Sequence, residues 1–129
     1  MADRRGDRVR GLDARAVAMI RIDAMWLATE PVDMRAGPGR LLALVVAVFG
    51  AAHAHHGYIF ANARGTRLKL LVNDGFGVWC AARRLHQGRF LWTAQTADAG
   101  MALTQSQFDA LIVGLPWARL EEMQRIAYV

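Results

Sequence analysis

Turn residues divide the stretch from Gly57 to Trp92 into four short apolar runs, and no other feature limits the fold of this chain as strongly. Arg64-Gly65, Asn73-Asp74-Gly75 and Gln87-Gly88 separate Tyr58 to Phe60, Leu68 to Val72, Val78 to Cys80 and Phe90 to Trp92. Each run is too short for a helix, and the punctuation between them is of the kind that closes hairpins, so the stretch reads as an antiparallel meander. It also carries Arg64, Arg67, Lys69, Arg83, Arg84 and Arg89 against a single acid, Asp74. Whichever face of such a sheet is left uncovered should be positive.

The flanks supply the rest of one domain. Ile20 to Thr29 alternates and holds a tryptophan, which predicts a further strand. Pro31 turns the chain away from it, and Gly37-Pro38-Gly39 precedes Arg40 to Phe49, apolar on nearly every side. Pro38 suits a first helical turn, so a buried helix against the sheet is expected there. Thr93 to Ala102 has no period and reads as an irregular excursion. Thr104 to Gln107 then forms a capping box, followed by Phe108, Leu111, Ile112 and Leu115 on one stripe. That helix should run from Gln105 to Gly114 and stop at Pro116. The fold class expected is α+β, a single small domain with an antiparallel meander sheet of about five strands and two packed helices. Its boundaries are 19–117. Residues 1–18, alternating Asp and Arg, read as a flexible extension or as the product of an upstream start codon ahead of Met19, and 118–129 as a helical tail.

Composition narrows the function. The formal net charge is +5, and Lys69 is the only lysine among 16 basic residues. Such a charge draws the protein to polyanions, with nucleic acid ahead of an acidic protein. One cysteine, Cys80, excludes an internal disulfide and predicts a cytoplasmic setting. The longest apolar run, Leu41 to Ala52, is too short for a membrane span.

Catalytic constellations are absent from the pattern. There is no phosphate-binding glycine loop and no nucleophile elbow. Three of the four histidines fall in Ala51 to His56 without a second ligand pair, so a turn is expected there and no metal. Asp74 sits in a hairpin signal, Asp109 reads as a residue of a helix's first turn, and Asp33 with Arg35 reads as a local ion pair at the strand-to-helix corner. No catalytic residue and no cofactor are expected. The aromatics Phe76, Trp79, Phe90 and Trp92, interleaved with arginine, suggest phosphate contact with stacking on unpaired bases.

Three blocks carry a family resemblance: Thr29 to Gly37, Arg67 to Leu71 running to Asp74-Gly75, and Arg83 to Trp92. Together they resemble the TnpB-type accessory protein, the small second reading frame of bacterial transposons of the insertion-sequence-sixty-six family. The likeness covers about Met19 to Trp117. This chain departs at Pro38-Gly39-Arg40-Leu41, where the family has a Phe-Asp-Gly-Leu-like string, at Val72-Asn73, where aromatics are usual, and at Thr93, where proline is. The resemblance implies a mobile-element protein acting in DNA recombination beside a separate transposase that does the strand transfer. It implies no catalytic residues. Asp33, Arg35, Gly37, Asp74, Gly75, Gly88 and Trp92 are its signature positions here. The expected function is a non-catalytic accessory factor for transposition. It would bind transposon DNA or the transposase–DNA complex through Arg64, Arg67, Lys69, Arg83, Arg84 and Arg89. The alternative is a module that docks the transposase without touching DNA.

Overall fold

A computed structural model describes residues 20–91 and 99–117. The extension at 1–18, the tail at 118–129 and the signature residue Trp92 lie outside the described residues. Within them the chain runs β1 (Ala24–Ala28), α1 (Pro38–Phe49), β2 (His56–Ala61), β3 (Arg67–Asn73), β4 (Val78–Arg84), β5 (Gly100–Leu103) and α2 (Gln105–Leu111). The five strands form one sheet in the order β4-β3-β2-β1-β5.

The α+β class holds, but the sheet is mixed. β1 pairs parallel with β2, and every other pairing is antiparallel. The cause is the connection: β1 and β2 are joined through α1, and a crossover helix returns the chain to the same end of the sheet, whereas a tight turn reverses it. The meander itself has three strands, β2 to β4. Phe90 and Leu91 are not strand. Phe90 donates its N–H to the Gly65 carbonyl at 2.7 Å and buries its ring in the core. The remaining edge is β5, inside the segment read as irregular; it adds antiparallel to β1, with Met25 opposite Leu103.

Alternation along the strands supplies both sheet faces with apolar side chains. Met25, Leu27, Ile59, Leu68, Leu70 and Val72 point to one side, where Leu111, Phe90 and Trp117 cover them. Ala28, Tyr58, Phe60 and Leu71 point to the other, under Leu41 and Val45 of α1. Pro38 opens α1, as its ring allows. The helix is not buried all round: it presses one stripe on the sheet, and Val46 is 50% exposed. α2 carries the expected capping box, with Thr104 and Gln107 satisfying each other's backbone N–H groups. It ends at Leu111, short of Gly114, and Leu115 is exposed. Asp109 lies beyond its first turn and accepts from Gln105.

The histidine loop is more than a solvated turn. His55, half-buried at φ +61°, donates its N–H to Asn73 and accepts from the N–H of Asp23, so it ties the starts of β1 and β2 to the end of β3. His56 Nδ1 accepts from the Trp26 indole at 3.0 Å. Among the described residues no group of three or more His, Cys, Asp or Glu converges as metal ligands would.

Candidate nucleic-acid interface

Because successive side chains on a strand point to opposite faces, the basic residues of the meander cannot form one surface. Arg67, Lys69 and Arg84 belong to the α1 face. Lys69 is half-buried and spends its ammonium on the Ala36 carbonyl at 2.9 Å, which fixes the corner before α1. Arg83 belongs to the opposite face. Its Nε donates to the carbonyl of Ile112, just past α2, at 2.6 Å, so it holds that helix end against the sheet.

Arg67 and Arg84 stand directly opposite each other on β3 and β4. The hairpin closes with the N–H of Asp74 on the carbonyl of Gly77 at 3.0 Å. Counting back from that bonded pair places Arg67 and Arg84 at a non-hydrogen-bonded site, where facing side chains come closest. Both are exposed, and like charges so placed repel. Nearby, Gly65 takes φ +68° under the Phe90 carbonyl and lies close to Arg89, so the exposed Arg64 and Arg89 flank the same end of the sheet. Among the described residues no acid pairs with Arg64, Arg67, Arg84 or Arg89; the two ion pairs there are Arg21–Asp23 and Arg35–Asp33.

The aromatics do not join this group. Phe90 is in the core. Phe76 is fully exposed at the tip of the β3–β4 hairpin, roughly 20 Å from Arg67 at 3.3 Å per residue. Trp79, 40% exposed, donates its indole N–H to Asp74 near that tip. The described signature residues make local contacts within turns and corners. Asp33 accepts the N–H of Arg35 and forms a fork with its guanidinium, which lowers the carboxyl pKa to about 2. Asp74 accepts from the N–H groups of Phe76 and Gly77. Gly75 and Gly88 adopt φ +91° and +81°, a region costly for other residues, and Gly37 is the residue ahead of α1. Cys80 is half-buried, and desolvation raises its pKa, so it behaves as a small apolar residue.

One cleft of about 720 Å³ lies between α2 and the sheet, lined by Ile22, Met25, Leu70, Phe108 and Ile112 among others. Among the described residues that line it, Asp109 is the one carboxylate, and it already accepts from Gln105.

Comparison with known proteins places the chain. Residues 23–122 match the family model described as IS66 Orf2 like protein, and the chain belongs to that family, whose members accompany transposition as accessory proteins. Two similar proteins come from Sinorhizobium fredii strain NBRC 101917 / NGR234. One, uncharacterized protein y4jC, is 30% identical over 98 residues, spanning 75% of this chain and 83% of its own. The other, uncharacterized protein y4hO, is 30% identical over 102 residues, spanning 78% and 88%. No solved structure matches. Among the described residues no helix is long and apolar enough to cross a membrane.

Proposed function

We propose that this protein is a non-catalytic, cytoplasmic accessory factor of transposition that grips the phosphate backbone of transposon DNA, alone or within the transposase–DNA complex. The observation that carries the reading is the Arg67/Arg84 couple, which no acid pairs among the described residues. Two guanidiniums facing each other without an acid cost stability in the free protein, and a bound phosphate turns that repulsion into paired, charge-assisted contacts. Arg64 and Arg89 extend the positive end. Lys69 and Arg83 make structural bonds to the Ala36 and Ile112 carbonyls, which supports assigning the phosphate contacts first to the other four basic residues.

The test is a salt series on duplexes with and without the transposon's terminal repeat. The double variant R67A/R84A should lower affinity for both duplexes and reduce the slope of log K against log salt by about 2. The variant R83A should leave that slope unchanged and lower thermal stability instead. An unaltered slope in R67A/R84A overturns the proposal. The second reading, docking of the transposase without direct DNA contact, is favoured by the fully exposed Phe76 on its braced hairpin tip.

A further inference from the structure

β4 is an edge strand of the sheet, and its outer side has no partner among the described residues. The hydrogen bond from Asp74 to Gly77 sets the alternation along it: Trp79, Ala81 and Arg83 direct their backbone groups to β3, so those of Val78, Cys80, Ala82 and Arg84 point outward. β5, the opposite edge, has four residues; β4 has seven, with no proline and no acid. Natural edges of this length are ordinarily interrupted or covered. Here two exposed hydrophobic residues, Val78 and Trp79, lie at one end, small residues at the middle, and two arginines at the other end.

We infer that the outer edge of β4 pairs antiparallel with the same strand of a second copy, about a two-fold axis at Ala81. In this register Val78 faces Arg84 of the other copy, Cys80 faces Ala82, and Trp79 faces Arg83. All four outward-pointing residues then exchange backbone hydrogen bonds. Ala81 faces itself at a non-bonded site, where the small side chain allows close approach. Trp79 comes within reach of the facing arginine, a favourable cation–π neighbour. A parallel, in-register pairing would instead stack Arg83 and Arg84 on their own copies, and that repulsion selects the antiparallel form. The two-fold axis is perpendicular to the sheet, so the two Arg67/Arg84 couples fall on one face of a continuous sheet.

The experiment uses the full chain without DNA, so its outcome is separate from the DNA-binding reading. Sedimentation over a concentration series should show a monomer–dimer equilibrium. Variant A82P removes an outward N–H while sparing the β3 ladder, and should shift the chain to monomer. Variant A81C in a C80A background should form an intermolecular disulfide on mild oxidation, faster than A82C in the same background. A chain that stays monomeric at every concentration and gives no A81C cross-link overturns the inference; so does faster cross-linking through A82C.

Discussion

Asp74 shows how one exposed side chain shapes an element. Its Oδ1 accepts from the N–H groups of Phe76 and Gly77, and its Oδ2 accepts from the Trp79 indole. These bonds favour the ionised form and hold the carboxyl below its ordinary pKa; Asp23 and Asp33 are lowered too, chiefly by hydrogen bonds from Arg21 and Arg35. A group whose folded pKa is depressed contributes stability above its unfolded pKa and loses it as pH falls through the folded one. The contribution of these three carboxylates to thermal stability should therefore hold down to about pH 4 and fall toward about pH 2, the value at Asp33. Asn at position 74 keeps an acceptor but no charge, so D74N should show a shallower fall, which melting curves across that range would check. The hairpin role of Asp74 was legible in Asn73-Asp74-Gly75. Arg83 and Arg84, expected together on one basic surface, stand apart because neighbours on a strand take opposite faces. What the sequence could not supply was the carbonyl of Ile112, 29 residues away, that gives Arg83 its partner.

At the scale of elements, the helix starts and the β2 to β4 meander were legible, whereas the helix end before Gly114 and the pairings of β1 with β2 and β5 were not. Pro38 and the Thr104 capping box marked two helix starts, and both act within a few residues. β5 is four residues long and depends on β1, more than 70 residues earlier in the chain, so nothing local distinguished it from loop. Phe90 has the composition of a strand but reaches the core through one bond to Gly65. α1 shows why an apolar run does not by itself locate the buried side. Val45 is fully buried and its neighbour Val46 is half exposed, because only one stripe of a single-layer helix meets the sheet. Val45→Ala should cost about 2 kcal/mol, from lost transfer and a cavity, while Val46→Ala should stay within about 0.5 kcal/mol. Chemical denaturation of the two variants would measure the contrast.

For the whole molecule, covering both faces of the sheet decides where function can sit. A meander with one open basic face would have placed arginines among aromatics; α1 and α2 close those faces. Free charge is left at one end of the β3–β4 hairpin and free hydrophobic surface at the other, roughly 20 Å apart. Stacking of unpaired bases on Phe76 beside the Arg67/Arg84 couple is therefore not available to a single short contact. The variant F76A should bind duplex DNA within about twofold of the unaltered protein, with the same salt slope, because it removes no phosphate contact. On the docking reading, the hairpin tip would be the anchor: a turn braced by Asp74 that offers one exposed aromatic ring. Copurification with the transposase in the presence of nuclease should fall for F76A and persist for R67A/R84A. The reverse pattern would assign the transposase contact to the arginine end and overturn the docking reading of Phe76.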